Sequence, residues 1–371
     1  MIMVTREQIE QLGLLIREVS PDKHYWFFRT MGGLYYDEFV SKGFVAIGYD
    51  DILMKDLKDI PEQDYMARAF LKVRLKDRNE KMTDSQIAKA AGQIVKFYRE
   101  LHIGDIIVAP DFQSRKFAIG VISSDMYEDS GKHGETGCPF AKRRRVKWIK
   151  EVMRHELDAK AILAFGNQQT MSSIDDYADY IDRKMDQLYT KGDSSYLVLR
   201  VNQDKELSWE DFMFIGELGA FFAEFSQEIE LGADLSRVKM KINVQSPGDI
   251  LLMIPDGGGW ILVLVLLILM VIRGGKSHIN ISSNGLDAGV EAEGIGDTLK
   301  KVLDAISDFR DRNADRSLRI KRKLENMEIE QPEDTQDVIL LDESETKALP
   351  PSLPESEDNI EHDELPGLPQ K

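Results

Sequence analysis

HYWFFRT (24–30) and GFVAIGYD (43–50) are the stretches that decide the fold of the N-terminal part of the chain. Aromatic and β-branched residues are concentrated in both, and glycines bound the second, which is typical of strands. Three more strands are predicted downstream: IIVAP (106–110), KFAIGVI (116–122) and RVKWIKEV (145–152). Short strands interleaved with a few helices over about 150 residues indicate a small mixed β-barrel, which we assign to residues 1–155.

A second unit, a small α/β domain, is predicted for residues 165–250. A helix with one apolar face precedes the strand YLVLRV (196–201), and Ser208 with Asp211 has the spacing of a capping box that opens another helix. VKMKINV (238–244) then alternates apolar and basic residues, as a strand with one solvated face does. The fold class expected for the whole chain is therefore α+β.

Thirteen consecutive apolar residues from Trp260 to Ile272 form the strongest hydrophobic signal in the chain. As a helix they would span ~20 Å, less than the ~30 Å hydrocarbon core of a bilayer. A soluble strand, however, typically has only ~4–8 such residues, so the run favours a short transmembrane segment over 257–273. The alternative is a buried hairpin, because the turn signature PDGG separates this run from the apolar ILLMI (250–254).

The expected location follows from the N-terminus, MIMVTREQIEQLG, which has no basic segment followed by an apolar one. No cleavable secretion signal is therefore predicted. With a spanning segment at 257–273, the protein would lie at the cell inner membrane with its N-terminal domains in the cytoplasm; otherwise it would be cytoplasmic.

The C-terminal part contains a charged amphipathic helix and an acidic tail. The helix is predicted over 297–327, and its apolar side, which includes Leu299 and Phe309, could join copies of the chain into a homo-oligomer. Residues 331–371 contain twelve acidic residues and two lysines, a net charge of −10 out of −17 for the chain. This proline-rich tail has too little apolar content to fold alone, so disorder is predicted.

The composition also excludes several classes of activity. A single cysteine, Cys138, excludes intramolecular disulfides and cysteine-rich metal sites. RGGKS (273–277) is not a phosphate loop, because the first required glycine would fall at Met270. The six histidines show no metal-ligand spacing. We therefore predict a binding protein without catalytic residues, cofactor or metal.

Five blocks in the first 155 residues occur in a characteristic order. They are YWFFRTMGG (25–33), EFVSKGFVAIGYD (38–50), FYRELHIGDIIVAP (97–110), FAIGVISSDMY (117–127) and RRRVKWIKEV (143–152). Together they resemble the PUA-like (EVE-related) domain found beside restriction-endonuclease modules of the Mrr type. The matching positions are Trp26, Arg29, Gly32, Gly33, Ile47, Gly48, Tyr49, Gly104, Asp105, Gly120, Val146 and Trp148. The nuclease module that usually accompanies such domains has no counterpart in the sequence.

The resemblance implies binding of a flipped or modified nucleobase, or of a small nucleotide, in an aromatic pocket at the mouth of the barrel. The residues expected to line it are Trp26, Arg29, Tyr36, Tyr49 and Trp148, with backbone turns at Gly32, Gly33 and Gly48. Each aromatic ring stacked on a base would contribute ~1–3 kcal/mol. The alternatives are that the rings fill the barrel core and that the arginine forms a structural ion pair.

A run of cations follows the pattern expected for contact with phosphates. Its members are Lys142, Arg143, Arg144, Arg145 and Lys147, with Lys150 nearby. On a strand edge they would track a nucleic-acid backbone beside the pocket. The alternatives are a solvated face and pairing with the acidic tail. The overall charge of −17 argues against non-specific coating of nucleic acid.

Two functions of different class remain from the sequence. The first is a non-enzymatic sensor or effector that binds a modified base, nucleotide or nucleic acid and acts at the membrane. Because restriction-type modules are found beside the domain that it resembles, a role in defence against foreign DNA is expected by analogy. The second is a tethered or soluble scaffold, assembled through its C-terminal helix, without a nucleotide ligand.

Overall fold

The computed structural model describes residues 7, 10, 12, 16–129, 137–166, 169–202, 208–229, 234–242, 248–273 and 295–329. Its strands are β1 (Arg17–Val19), β2 (Tyr25–Phe28), β3 (Phe44–Ile47), β4 (Ile106–Pro110), β5 (Lys116–Ile122), β6 (Tyr127–Glu128), β7 (Lys142–Met153), β8 (Met171–Ser173), β9 (Leu188–Lys191), β10 (Ser194–Val201), β11 (Lys239–Ile242) and β12 (Gly248–Pro255). Its α-helices are α1 (Tyr36–Lys42), α2 (Met54–Lys58), α3 (Asp64–Arg78), α4 (Asp84–Val95), α5 (Ala159–Ala164), α6 (Ala178–Met185), α7 (Trp209–Glu228), α8 (Gly259–Arg273), α9 (Ile295–Arg312) and α10 (Ala314–Asn326). The protein is α+β, as the sequence predicts.

A seven-stranded sheet curls into a half-barrel. The strand order is β3-β7-β5-β4-β2-β8, and β6 pairs with β7. The long β7 produces the curl, because its first residues pair with β3 and β6 and its later residues pair with β5. An irregularity in the β5–β7 register at Gly120 increases the bend. A Cβ atom at Gly120 would lie 2.6 Å from Val146 Cγ1, so only glycine fits there.

The half-barrel is buried on both faces. Helices α1–α4 cover one face, where Val45 and Ile107 pack against side chains such as Leu71 and Ile94. Helices α5 and α6 cover the other face, where Phe117 packs in a separate apolar cluster. Double burial explains why β4 and β5 read as nearly continuous apolar runs rather than alternating ones.

Two boundaries differ from those predicted. β8 (Met171–Ser173) pairs with β2, so the half-barrel sheet continues past residue 155. β1 (Arg17–Val19) lies in the other sheet, where it pairs in parallel with β9. Both differences arise from pairing between residues that are distant in sequence, which local patterns do not reveal.

The second sheet has the order β1-β9-β10-β12-β11 and is covered by the apolar run. Residues 259–273 form helix α8, which packs against β10, α9 and α10 and is buried along nearly its whole length. The segment before it is strand β12, so the two apolar stretches form a strand, a turn and a helix instead of a hairpin. None of the helices in the described ranges combines the length and the apolar character needed to cross a membrane.

The predicted C-terminal helix is divided into α9 and α10, which meet at Asn313. Their apolar side chains, including Leu299, Phe309 and Leu324, lie in the same core as α8. This side therefore packs against the chain's own core, and assembly of copies through it stays a prediction. The acidic tail at 331–371 lies outside the described residues.

Candidate functional site

Two loops lie side by side at the end of the half-barrel where β2, β4 and β7 finish. We call residues 29–35 and 111–115 together the rim. Thr30 Oγ1 donates a hydrogen bond to the Pro110 carbonyl at 2.7 Å, which holds the first loop to the end of β4. A Cβ atom at Gly33 would lie 2.3 Å from Phe112 Cα, so the two backbones meet at a distance that only glycine allows.

The rim backbone is strained on both loops. Met31, Gly32 and Gly33 follow one another at φ 54°, 70° and 96°, and Gln113 and Ser114 have φ 60° and 54°. A non-glycine residue in this left-handed region costs ~1–3 kcal/mol, and such strain concentrates at functional sites.

The buried Asp111 carboxylate holds the second rim loop in its conformation. Its Oδ1 accepts hydrogen bonds from the backbone N–H groups of Arg115 at 2.6 Å and Lys116 at 2.9 Å. This carboxylate therefore closes the strained turn from within, and the strain is maintained by specific hydrogen bonds.

The rim displays large apolar side chains to solvent. Leu34 is 69% exposed, Met31 61%, Phe112 57% and the adjoining Met153 45%. Scattered single apolar residues are normal on a surface, but these four come from three segments that touch one another. The Arg154 N–H donates to the Arg115 carbonyl at 2.8 Å and so joins the end of β7 to the second loop.

Basic side chains lie beside these apolar tips, and Arg115 and Lys116 among them pair with carboxylates. The Arg115 side chain is 68% exposed and lies 3.5 Å from Asp111 Oδ2. Arg154 is exposed at the end of β7, and Lys116 is half-buried at the start of β5. Apolar tips beside arginines are the combination with which proteins enter a nucleic-acid groove or hold a base.

Tyr36 directly follows the first rim loop, and its hydroxyl group is hydrogen-bonded. Its hydroxyl donates to Glu151 Oε1, and Lys116 Nζ lies 2.8 Å from the same oxygen. Burial, and next the neighbouring carboxylate, raise the pKa of Tyr36, whereas the hydrogen bonds from Lys116 and Tyr36 lower the pKa of Glu151. Tyr36 therefore stays protonated and positions Glu151; it does not offer its ring face to a ligand.

Trp26 is a core residue, and its prediction as a stacking platform is wrong. Only 4% of its surface is exposed. Its Nε1 donates to Asp105 Oδ2 at 3.0 Å, and the same carboxylate accepts the backbone N–H groups of His24 and His102. The pair matched by the resemblance therefore fixes the start of β4 against β2.

The remaining predicted pocket residues lie in two groups. Arg29, Gly32 and Gly33 lie on the rim with Tyr36, whereas Gly48 and Tyr49 follow β3 beside the first residue of β7. The Phe140 ring connects the two groups, since its centroid lies 5.5 Å from that of the Tyr35 ring on the rim and its edge lies 3.2 Å from the Cβ position of Gly48. Gly48 packs against the Phe140 ring, and Tyr49 has φ 65°.

Trp148 is half-buried on β7. Its Nε1 donates to the Phe39 carbonyl at 2.7 Å, which binds β7 to the end of α1. Its ring packs beside Gly120 and the apolar core below α1. Trp148 therefore links β7 to α1, and it packs against the same apolar cluster as Tyr35, Tyr49 and Phe140.

Three members of the predicted phosphate-contact patch are buried, so the prediction is wrong for Lys142, Arg143 and Arg144. Lys142 is 1% exposed, and its Nζ donates to Tyr49 O at 2.9 Å, Asp50 Oδ1 at 2.9 Å and Ile52 O at 3.0 Å. Burial lowers the pKa of Lys142. With all three donors used internally, this ammonium holds the turn after β3 in place.

Arg143 and Arg144 fulfil similar internal roles. Arg143 donates to the carbonyls of Phe140 and Cys138 and lies 2.8 Å from Asp129. Arg144 donates to the carbonyls of Phe97, Tyr98 and Ser124, and thereby closes a π-helical turn at Lys96–Glu100. Of the run, Arg145 is exposed over the Tyr127 ring and Lys147 is half-buried.

A polar surface pocket lies at the β3–β7–β6 junction. Its volume is about 430 Å³, and its lining residues are Lys42, Phe44, Tyr127, Glu128, Asp129, Arg143 and Arg145. Cations and carboxylates compensate one another in it, as in the 2.8 Å pair between Arg143 and Asp129. No group of three His, Cys, Asp or Glu side chains within the described ranges is placed to hold a metal ion.

Leu34, Phe112 and Arg115 of the rim and the adjoining Met153 are absent from the sequence prediction. One signal could have found them. In APDFQSRKF (109–117) an aromatic residue and an arginine occupy a short loop between two buried strands, where polar turn residues are usual.

One family model matches residues 30–177, and its description is Domain of unknown function (DUF8426). The match covers the rim from Thr30 onward and β3–β8, and therefore most of the half-barrel sheet. Comparison with curated proteins and with solved structures gives no match.

Proposed function

We propose that the half-barrel is a PUA-like, non-enzymatic module that binds nucleic acid with its rim and inserts the apolar rim tips at a flipped, modified or poorly stacked base. The observation that carries the proposal is the strained rim itself, with exposed Met31, Leu34 and Phe112 on two interlocked loops beside Arg115. The resemblance to PUA-like domains supports the same class of ligand, although it implied an aromatic pocket at the mouth of the barrel instead of exposed tips.

The chemistry of the rim suits a base step better than it suits a free polar ligand. An apolar side chain inserted between two bases unstacks them at a cost of a few kcal/mol and gains contact with both base faces. Phe112 has the flat ring for this contact, and Leu34 and Met31 supply apolar area beside it. A rigid backbone helps, because the tips then lose little conformational entropy on binding.

The charges favour local rather than non-specific binding. A chain with a formal charge of −17 is repelled by phosphates in general, so affinity depends on the few cations near the rim. Arg115 and Arg154 lie on neighbouring segments joined by a backbone hydrogen bond, and we expect them to contact the flanking phosphates. We therefore expect binding that is weak on regular duplex DNA and stronger where a base is easily extruded.

The test measures binding of the full-length protein to labelled oligonucleotides by fluorescence anisotropy. The probes are a matched duplex, the same duplex with a mismatch or 5-methylcytosine, and the single strand. Phe112→Ser should weaken binding to the preferred probe about tenfold or more, since one base–aromatic contact contributes ~1–3 kcal/mol. Leu163→Ser is the matched control, because Leu163 is 77% exposed on α5, outside the rim.

Three results would overturn the proposal. The first is absence of binding to every probe, and the second is binding that Phe112→Ser and Leu163→Ser weaken equally. The third is equal affinity for matched duplex and for probes with an extrudable base, because an apolar wedge has to discriminate between them. A protein partner at the rim would then become the better explanation of the exposed tips.

A further inference from the structure

Helix α7 buries only one of its sides. Phe214, Leu218, Phe221 and Phe225 lie in the core beneath the second sheet. On the opposite side Trp209 is 79% exposed, Met213 63% and Phe212 39%. An aromatic residue and a methionine so exposed on the first turns of a long helix indicate a contact that the described part of the chain does not make.

The same side continues with small residues. Helical spacing places Gly216, Ala220 and Ala223 in line with Trp209 and Met213. A Cβ atom built at Gly216 or at Gly219 would meet nothing within 4 Å, so the space above both glycines is open. The face therefore has large side chains on its N-terminal half and a shallow depression on its C-terminal half.

Charges border this face without entering it. Glu217 and Glu224 lie along one edge, where Arg316 pairs with both, at 3.8 Å and 2.6 Å. Glu210 lies on the same edge, 3.5 Å from Lys323. An uncharged face with an acidic border does not suit phosphates or an anionic lipid surface, both of which need basic residues.

We propose that this face of α7 (Trp209, Phe212, Met213, Gly216, Gly219, Ala220 and Ala223) binds the same face of a second copy of the chain in an antiparallel pair. A two-fold axis near Gly216 would place Trp209 of each copy over Ala223 of the other, and Met213 over Gly219. Large side chains would then fill the partner's depression, which is the self-complementarity that a two-fold interface requires. A parallel pair would instead place large against large and leave the depression empty.

The geometry also makes this pair close-packed. Glycine at the axis lets two helix backbones approach nearer than the usual 8–10 Å. The 20 residues of α7 correspond to ~30 Å of helix, enough for about five turns of contact. The inference is independent of the proposed rim function, because the rim lies at the end of the half-barrel sheet whereas α7 packs in the core of the second sheet.

The first experiment is sedimentation velocity of the full-length protein over a wide concentration range. The wild type should convert, as concentration rises, from the 42.3 kDa monomer to twice that mass. Gly216→Leu and Trp209→Ser should each shift the midpoint to at least about tenfold higher concentration. Tyr65→Ser is the control, because Tyr65 is 67% exposed on α3 and should leave the midpoint unchanged.

Gly216→Leu separates the interface from a folding defect. It replaces a glycine inside a helix, with open space above it, so the monomer should melt at an equal or higher temperature while the dimer is lost. A second measurement uses Gly216→Cys, since the native Cys138 is buried. Near a two-fold axis the new thiols should form an intermolecular disulfide under mild oxidation, whereas Leu318→Cys on α10 should not.

A wild type that stays monomeric at all concentrations would overturn the proposal. So would a dimer that Gly216→Leu and Trp209→Ser leave intact, or one in which only Leu318→Cys cross-links. Vesicles of neutral phosphatidylcholine test the other apolar partner. Binding to them that Trp209→Ser removes, without any dimer in solution, would assign the face to lipid and overturn the second copy.

Discussion

Replacement of Gly33 by alanine tests whether the two rim loops are locked together. Gly33 has φ 96° and Gly32 has φ 70°, so an alanine at either position adopts an unfavourable backbone conformation. They differ in their surroundings, because a Cβ atom at Gly33 would lie 2.3 Å from Phe112 Cα and one at Gly32 would meet nothing within 4 Å. Gly32→Ala is therefore a matched control for backbone strain alone.

The two contributions can be sized separately. A left-handed alanine costs ~1–2 kcal/mol relative to glycine, and this applies to both variants. At Gly33 the Cβ atom must also displace the Phe112 backbone, and overpacking of this kind costs ~1–3 kcal/mol. We therefore expect Gly33→Ala to lower the free energy of unfolding by ~2–5 kcal/mol and Gly32→Ala by ~1–2 kcal/mol.

Urea unfolding of the full-length protein, followed by tryptophan fluorescence, measures both differences from the shift in the transition midpoint. The two variants should also differ in affinity for the preferred oligonucleotide. Gly33→Ala should bind more weakly than Gly32→Ala, because displacement of the second loop moves the exposed Phe112 ring. Equal destabilisation by the two variants would refute the contact between the loops. Wild-type affinity in Gly33→Ala would refute the requirement for a rigid rim.

Three further outcomes are expected. Lys142→Met removes the ammonium that donates to the Tyr49 and Ile52 carbonyls and pairs with Asp50, so the free energy of unfolding should fall by ~2–4 kcal/mol while oligonucleotide affinity is unchanged. Weaker binding with unchanged stability would restore the phosphate-contact prediction. Asp56 is paired with Arg78 and Arg74, and its pKa is lowered from 3.8 to about 2. Its contribution of roughly 2 kcal/mol, present above pH 4, should be lost as the pH falls through about 2, so urea midpoints of wild type and Asp56→Asn should converge in acid. Val265→Arg places a charge in the core around α8 and should lower the free energy of unfolding by ~4 kcal/mol or more. Proteolysis should then cut the variant within residues 188–329. A variant that stays folded and soluble would contradict the buried position of Val265.

Local patterns predicted the secondary structure well where neighbouring residues determine it. The strands at 25–28, 44–47 and 116–122 lie within the predicted stretches. The capping box is confirmed, since Ser208 Oγ accepts the Asp211 N–H and the Asp211 carboxylate accepts the Ser208 N–H. These features depend on contacts within a few residues, so the sequence contains all the information that they need.

Prediction was incomplete where a signal was weak or needed a distant partner. Helix α3 (Asp64–Arg78) is missing from the sequence prediction, although Ala67, Leu71 and Leu75 have helical spacing and are buried. The cations of β7 illustrate the second difficulty. The acceptors of Lys142 lie about 90 positions away, in the turn after β3, and no pattern within the run indicates them.

The amino-acid sequence by itself determined the α+β class, the main strands, the capped start of α7 and the presence of a long apolar segment. Only the tertiary structure decided that this segment is core, because helices α9 and α10 and strand β10 supply its apolar neighbours. It also decided which charges are internal and which loops meet at the rim. The physical reason is range: propensity and periodicity act over a few residues, whereas burial, hydrogen-bond satisfaction and loop contact depend on groups brought together by folding.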